Sequence, residues 1–251
     1  MPGSSATWFA RSMVAFRSAV AGQGDLLVLT LGGLTLVSAC GLLIAKLLDD
    51  VLGSDGATRL DPRILAWAVE HRSDGLTTVA RGVTHLGDPA VVAGVAIVCT
   101  VWLIFARHRS FGLLVVGSMV GAAITSTVTK AVVGRPRPPE TLWLTRASGA
   151  AFPSGHATQS VACYGALAVV GWVLVRRSSA RAALAFGAVV IAAAVGASRV
   201  YLGVHWPSDV LCGWAVAMLW LTTVVLIGWV RPRVVTAWTS SRADRLDDRP
   251  A

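Results

Sequence analysis

Long apolar stretches alternate with short polar segments along most of the chain, and this alternation indicates its architecture. Six stretches stay apolar over about 20 residues, the length at which an α-helix crosses roughly 30 Å of hydrocarbon. They are residues 26–48, 89–106, 111–133, 155–175, 182–200 and 207–230. The pattern predicts an all-α integral membrane protein with six transmembrane helices, whose two termini lie on the same side of the membrane.

Between the first two spans, the segment DPRILAWAVEHR has the pattern of a short amphipathic helix at the membrane surface. Asp61 is predicted to cap this helix, and Pro62 to occupy its first position. Residues 26–230 are therefore predicted to form one six-helix membrane domain.

The two ends of the chain are expected to lie outside this domain. Residues 1–25 form a predicted cytoplasmic segment, whose aromatic residues recur at near-helical spacing and suggest a short interfacial helix. Residues 231–251 form a predicted polar cytoplasmic tail, and its last part, SSRADRLDDRPA, is expected to be disordered.

The composition supports a membrane protein. Of the 251 residues, 55% are hydrophobic and only 14% are charged, with a mean hydropathy of +0.66. A soluble domain carries about 25% charged residues. The four cysteines all lie within apolar stretches and show no metal-ligand spacing, so we interpret them as buried thiols and predict neither a metal site nor a cofactor.

The net charge of +9 is best explained by membrane topology. The basic residues do not form one patch with interleaved aromatic residues, so no nucleic-acid partner is predicted. Many of them flank the spans, and by the positive-inside rule these flanks face the cytoplasm. The flanking residues are Arg11, Arg17, Arg107, Arg109, Arg176, Arg177, Arg181, Arg231 and Arg233. Both termini are then cytoplasmic, and residues 49–88, 134–154 and 201–206 lie on the opposite side.

Three polar islands fall on this non-cytoplasmic side. They are Lys130 with AVVGRPRPPE, then AFPSGHATQS, and then SRVYLGVHWPSD. Each alone has an ordinary explanation, since a lysine at a span end snorkels to the headgroups, a proline run stiffens a loop, and a serine before a helix caps it. Even His205 and Asp209 have the spacing of a structural pair on one helical face.

Taken together, the islands indicate a binding site for a polyanion. Lys130, Arg137 and Arg199 would repel one another in a partly dry site unless an anion lay between them. A phosphate fits, because guanidinium groups match its oxygens and the helix start at Ser154 and Gly155 offers free backbone N–H groups.

The two histidines in these islands are suited to phosphoryl transfer, which needs a nucleophile and a proton donor. Residue type alone leaves the assignment of His156 and His205 to these roles open. Asp209, four residues after His205, would hold one ring nitrogen and direct the lone pair of the other toward phosphorus. This favours His205 as the nucleophile.

The spacing of these residues resembles the three-part signature of the type 2 phosphatidic acid phosphatase superfamily of membrane phosphatases. The resemblance covers roughly residues 26–230 and is complete in all three parts. The matches are K-x6-R-P from Lys130 to Arg137-Pro138, P-S-G-H from Pro153 to His156, and S-R-x5-H-x3-D at Ser198, Arg199, His205 and Asp209.

The resemblance implies a mechanism without metal or cofactor. His205 would attack phosphorus to form a phosphohistidine, with Asp209 orienting its ring, and His156 would protonate the leaving oxygen and later help to activate water. Stabilisation of the non-bridging oxygens would come from a separate group of residues, as in an oxyanion hole. These are Lys130, Arg137, Arg199, Ser154 and the amide of Gly155.

Three further residues are candidate headgroup contacts. Arg135 forms with Pro136 a second Arg-Pro pair and is considered as a substrate-side cation. Glu140 and Arg146 lie in the following loop, PETLWLTRASGAA.

The sequence leaves the lipid open. Polyprenyl pyrophosphates such as undecaprenyl pyrophosphate, phosphatidic acid and phosphatidylglycerophosphate all fit, and the lipid is expected to enter sideways from the outer leaflet because its tails are costly to expose to water. The composition, rich in arginine and alanine, suggests a bacterial inner membrane and a role in the cell envelope. Two other functions were weighed: a non-catalytic membrane scaffold or lipid-phosphate binder, and a vanadate-dependent haloperoxidase.

Overall fold

The computed structural model describes residues 23–53 and 55–247, and this part of the chain contains helices and no strand. Three short 3₁₀ turns, Gly56–Arg59, His85–Gly87 and Glu140–Leu142, lie between the α-helices. The α-helices are α1 (Gln23–Gly53), α2 (Asp61–Glu70), α3 (Asp74–Thr84), α4 (Pro89–Phe105), α5 (Arg109–Val133), α6 (Gly155–Leu174), α7 (Ser178–Tyr201) and α8 (Pro207–Asp247).

Five of the described helices, α1, α5, α6, α7 and α8, are each long and apolar enough to cross a membrane. A sixth candidate span is a bent pair, in which the segment Asp74–Gly87 meets α4 at 48°. The predicted all-α membrane fold is therefore confirmed, with five single-helix candidate spans and this bent pair as the sixth candidate. The break lies at Asp88, whose carboxylate accepts a hydrogen bond from the Ala90 amide at 2.9 Å and so starts α4 with Pro89 in its first turn.

Helix α6 is the centre of the bundle and packs against α5, α7 and α8. Its inward positions are small, including the fully buried Ala157, Ala162 and Ala166, which lets neighbouring helices approach closely. Gly213 in α8 has the same effect at the start of α6, because a Cβ atom there would lie 2.8 Å from the Ser154 carbonyl oxygen. Close contact of α6 and α8 at this end brings their polar N-termini together.

The described chain places the three polar islands at one end of the bundle, where α5 and α7 end and α6 and α8 begin. A layer formed by α2 and α3 covers part of this end. Arg72, between these two helices, donates to the carbonyl oxygens of Tyr201 and Leu142 at 2.7 and 2.8 Å. Arg81 in α3 donates to the Leu144 carbonyl at 3.0 Å. The layer thereby fixes both the end of α7 and the loop after Glu140.

Helix α2 is present as predicted, but the predicted role of Asp61 as its cap is wrong. Leu60 occupies the capping position, and no side chain caps the helix. The Asp61 carboxylate is 2% exposed and accepts hydrogen bonds from Arg135 and Ser208 instead. Ion pairing of a buried carboxylate outweighs the weaker capping interaction that its position in sequence suggested.

Two other elements differ from the expectation. The sequence pattern did not predict α3, which contains Gly75 and Gly82 and is stabilised by a Ser73 cap and by packing on α7. Helix α8 continues to Asp247, through residues expected to be disordered, because extending a helix requires no new nucleation. The predicted N-terminal interfacial helix, in residues 1–22, and residues 248–251 lie outside the described residues.

Candidate active site

Asp209 and His205 are held together by the start of α8. Pro207 begins the helix, and the Asp209 carboxylate reaches back to accept a hydrogen bond from the Trp206 amide at 2.8 Å. This is the back-bonding half of a capping box. The same carboxylate oxygen accepts from Nδ1 of His205 at 3.2 Å, and both side chains are buried. The local sequence HWPSD therefore builds the pair by itself.

The tautomer of His205 follows from its second partner. Nη1 of Arg137 lies 3.0 Å from Nε2 of His205. Because a guanidinium only donates, Nε2 must accept, and the ring proton must be on Nδ1, which donates to Asp209. Burial lowers the pKa of His205 to about 4, against the opposing effect of Asp209, so the ring is neutral near pH 7 with its Nε2 lone pair directed at a cation.

Arg137 is fixed by the loop that surrounds it. Its guanidinium donates to the carbonyl oxygens of Val204, Ser148 and Gly149 at 2.7, 2.8 and 3.0 Å. Burial lowers the pKa of Arg137, but an arginine has enough margin to remain a cation. Lys130, at the end of α5, donates to the Ala150 carbonyl at 2.7 Å. Lys130 and Arg137 of the first sequence island are thus both hydrogen-bonded to residues 148–150, in the loop that leads into the second island.

Arg199 and Ser154 retain buried polar atoms without a protein partner. Nη1 of Arg199 donates to the Thr84 hydroxyl at 2.9 Å, whereas its Nε has no partner in the described chain. The Ser154 hydroxyl is also buried and unpaired, although Ser154 stands at the capping position of α6, directly before Gly155. Buried polar atoms normally have partners, so these atoms and the free amides of the first turn suit an anion.

His156 lies in the first turn of α6 and is half-buried. Neither ring nitrogen is hydrogen-bonded to another described residue. The main chain connects this turn to the segment that carries His205 and Asp209, because the Ser154 amide donates to the Asp209 carbonyl at 2.9 Å.

The structure brings together all eight residues predicted for catalysis and phosphate binding at one end of the bundle. Both terminal nitrogens of Arg135 are bound by carboxylates, at 2.6 Å from Asp209 and 2.7 Å from Asp61. Its guanidinium also lies 5.6 Å from the centre of the Trp206 ring. Arg135 therefore supports Asp209 in this structure, and its predicted contact with a headgroup stays a prediction.

Glu140 and Arg146 remain on the exposed side of the site. Glu140 lines a cavity of about 430 Å³ together with Arg137 and Trp143, and this cavity leads outward from the cations. Arg146 lines the neighbouring, more open depression with Trp143. Their positions suit contact with a headgroup, whereas neither touches the histidines.

A second cavity adjoins the site at the side of the bundle. It has a volume of about 400 Å³, lies between α4, α5 and α6, and is lined mainly by apolar atoms. Lys130 and Gly155 line its polar end, and the half-exposed Val120 belongs to its apolar wall, so the cavity opens laterally. The residues predicted to bind phosphate therefore lie between a polar cavity in the loop region and an apolar cavity at the side of the helices.

Three supporting residues were missed by the sequence reasoning. Asp61 and Ser208 join the Arg135 cluster, and Thr84 holds Arg199. Ser208 lies directly before Asp209, beside the recognised motif residues. Asp61 and Thr84 lie in a segment that is distant from the motifs in sequence, and no pattern there indicated a contact with the site. Among the described residues, no group of three or more His, Cys, Asp or Glu side chains is arranged to hold a metal ion.

Comparison with known proteins places this site in a family. The model of the PAP2 superfamily matches residues 111–233, which contain all three sequence islands. Phosphatidylglycerophosphatase B of Bacillus subtilis is 32% identical over 163 residues, covering 63% of this chain and 78% of the relative. The chain belongs to the PAP2 superfamily. The predicted membership in this superfamily of membrane phosphatases, and the enzyme class that it implies, are confirmed.

Other members share parts of the sequence and the fold. An undecaprenyl-diphosphatase of Sulfolobus acidocaldarius is 35% identical over 117 residues, or 45% of this chain and 52% of the relative. The crystal structure of the transmembrane PAP2-type phosphatidylglycerolphosphate phosphatase of Bacillus subtilis superimposes with a TM-score of 0.69 at 29% identity, covering 75% of this chain and 93% of that one. LpxE of Aquifex aeolicus, at 19% identity and a TM-score of 0.52, covers 66% and 94% and shows the shared fold.

Proposed function

We propose that this PAP2 protein hydrolyses a phosphomonoester or pyrophosphate on a membrane lipid through a phosphohistidine on His205, without a metal ion. The observation that carries the proposal is the geometry of His205. Its ring is fixed by Asp209, and its Nε2 lone pair is presented to Arg137. A phosphate that replaced the contact between Nη1 and Nε2, while bound by this guanidinium, would lie against the nucleophilic nitrogen.

In the first step, Nε2 of His205 forms a bond to phosphorus while the bond from phosphorus to the leaving oxygen breaks. His156 donates a proton to that oxygen. The ring of His205 becomes positively charged as it is phosphorylated, and Asp209 stabilises this charge through Nδ1. In the second step, water attacks phosphorus, His156 accepts its proton, and inorganic phosphate leaves with His205 neutral again.

The non-bridging oxygens are proposed to bind Lys130, Arg137, Arg199, Ser154 and the Gly155 amide. The unpaired Arg199 Nε and Ser154 hydroxyl support this assignment, because a phosphate would satisfy both. These donors are positioned by the protein before reaction, which makes charge stabilisation in the transition state effective.

The two cavities support a lipid substrate. The apolar cavity at Lys130 would take the part of an acyl or prenyl chain next to the phosphate, and the chain would enter sideways between helices. The polar cavity in the loop region would take the headgroup, with Glu140 and Arg146 as contacts. The relatives named for phosphatidylglycerophosphate and undecaprenyl diphosphate make these two lipids, together with phosphatidic acid, the substrates to test first.

The membrane arrangement is also proposed from the charge pattern. Arginines at the ends of the spans opposite the site favour a cytoplasmic location for those ends. The active site would then face the extracytoplasmic side of a bacterial inner membrane, with residues 1–25 and 231–251 in the cytoplasm and 26–230 forming the catalytic domain.

The direct test is release of inorganic phosphate by the detergent-purified protein, with EDTA present, from undecaprenyl pyrophosphate, phosphatidic acid and phosphatidylglycerophosphate in parallel. We expect release from at least one lipid that is unaffected by EDTA. Loss of all activity with EDTA, restored by a divalent cation, would contradict the metal-independent mechanism. No release from any of the three lipids by folded protein would contradict the proposed substrates.

A further inference from the structure

A buried cluster of charges lies behind the His205–Asp209 pair, on the side away from the phosphate-binding residues. Asp61 of α2 is 2% exposed and Asp209 of α8 is fully buried, and Arg135 lies between them. Nη2 of Arg135 donates to Asp61 Oδ2 at 2.7 Å, and Nη1 donates to Asp209 Oδ1 at 2.6 Å. One guanidinium is therefore shared by two carboxylates from different parts of the chain.

Ser208 completes the connection between these carboxylates. Its amide donates to Asp61 Oδ1 at 2.9 Å, and its hydroxyl donates to Asp61 Oδ2 while it accepts from Arg135 at 2.8 Å. Asp61 is thus attached both to Arg135 and to the residue next to Asp209. Buried carboxylates are costly unless they are paired and hydrogen-bonded, and Asp61 meets both conditions.

The two terminal nitrogens of Arg135 bind different carboxylates, and this determines which oxygen of Asp209 is available to His205. Arginine prefers to bind one carboxylate with two parallel hydrogen bonds. In this protein Asp61 takes Nη2, so Arg135 reaches Oδ1 of Asp209 through Nη1 alone. Oδ2 remains with Nδ1 of His205 and the Trp206 amide. Without the charge of Asp61, both terminal nitrogens of Arg135 would be free to bind the two carboxylate oxygens of Asp209.

We propose that Asp61, on the helix between the first two spans, is a positioning residue that acts through Arg135 to keep Oδ2 of Asp209 bound to His205. Asp61 touches neither histidine and has no predicted contact with the substrate. The inference rests on the proposed function, because it concerns the formation of the phosphohistidine on His205.

The experiment compares Asp61→Asn on two backgrounds, the wild type and Arg135→Gln, in detergent-purified full-length protein. The assay is phosphate release from the lipid that the wild type prefers, with kcat and KM determined separately. Gel filtration and thermal unfolding identify the folded variants. Asp74→Asn is the matched control, because Asp74 is an exposed aspartate in the same layer and its side chain has no contact with the cluster.

On the wild-type background we expect Asp61→Asn to lower kcat about tenfold or more and to change KM by less than about threefold, since coupled buried charges affect the transition state strongly. On the Arg135→Gln background the same change should leave kcat within about twofold, because the residue through which Asp61 acts has gone. Asp74→Asn should match the wild type.

Equal losses of kcat on both backgrounds would overturn the proposal, as would wild-type kcat for Asp61→Asn. If Asp61→Asn alone does not purify as folded protein, a loss of kcat in the double variant relative to Arg135→Gln overturns it on its own, and an unchanged kcat supports it. The wild-type arm separates the two ideas: absence of phosphate release there would contradict the proposed function, whereas an active wild type with an unaffected Asp61→Asn variant contradicts this inference alone.

Discussion

The two histidine-bearing segments of the site are held in contrasting ways. His205 lies in a tight turn between α7 and α8, with hydrogen bonds at both ring nitrogens and 2% of its surface exposed. His156 stands on the first turn of α6, half-buried, and neither of its ring nitrogens is bonded to another described side chain or backbone group. One imidazole is hydrogen-bonded at both nitrogens, and the other at neither within the described chain.

This difference fits the two proposed roles. A nucleophile must present one lone pair along one line, so a locked ring and a fixed tautomer are an advantage. A proton donor that later activates water must serve two oxygens at different positions, and a ring with unoccupied nitrogens can reach both. The comparison therefore supports the proposed roles, which residue type alone leaves open.

The largest expected effect is from His205→Ala. Removal of the nucleophile should lower kcat by about 10⁴-fold or more and abolish any acid-labile phosphoenzyme. The measurement is phosphate release together with denaturation at alkaline pH of enzyme given lipid radiolabelled in its phosphate, followed by acid treatment to show that the bound label is acid-labile. His71→Ala, at an exposed histidine stacked on Trp67, is the control and should keep full activity. Near-wild-type activity of His205→Ala would contradict the assignment.

His156→Gln tests the other half of the comparison. Loss of general acid catalysis should cost about 10²- to 10⁴-fold with a phosphomonoester lipid, whose alkoxide needs a proton to leave. The loss should be smaller with a lipid pyrophosphate, since a phosphate is a better leaving group. Measuring kcat/KM on both substrates checks this. Equal losses on both would show that His156 has a different role.

Thr84→Val tests whether the hydrogen bond from Arg199 to Thr84 supports the proposed phosphate-binding site. The hydroxyl of Thr84 accepts the hydrogen bond from Arg199, and its loss leaves a buried guanidinium without that partner. We expect kcat/KM to fall about tenfold, the effect of one lost hydrogen bond to a charged group. The matched control is Thr78→Val on the same helix, where the hydroxyl is bonded only to the Asp74 backbone. A fall of equal size in the control would contradict the prediction.

The smallest expected effect is on how the stability of the folded protein depends on pH. Burial lowers the pKa of His205 from 6.5 to about 4, so the folded protein binds fewer protons there than the unfolded chain. The stability due to the neutral ring is complete above about pH 6.5 and is lost as the pH falls toward 4, by an amount on the order of 3 kcal/mol at most.

The check is the unfolding temperature of wild type and His205→Gln between pH 7.5 and 4.5. The wild type should lose more stability on acidification than the variant, which has no proton to gain at this position. The other groups near the ring, Asp209, Arg137, Arg199 and His156, are present in both proteins, so their titration largely cancels. Parallel curves would contradict a buried neutral His205.

Two arginines of the first motif show what residue spacing can predict and what it cannot. Arg135 and Arg137 both precede a proline, and the motif spacing selected Arg137 as the candidate for phosphate binding. Spacing could not show that Arg135 turns to two carboxylates, because one of them, Asp61, is 74 residues away in sequence. For the same reason the sequence did not indicate the contact of Thr84 with Arg199, which is 115 residues away.

The sequence by itself determined the class of protein and most of its membrane helices, because hydrocarbon thickness fixes how long an apolar helix must be. It also determined the pairing of His205 with Asp209, since four residues at a helix start bring the two side chains together. The tertiary structure decided which polar atoms are left for a phosphate, which arginine supports Asp209, and why Asp61 is buried. Those outcomes depend on contacts between residues distant along the chain, which no local periodicity or spacing records.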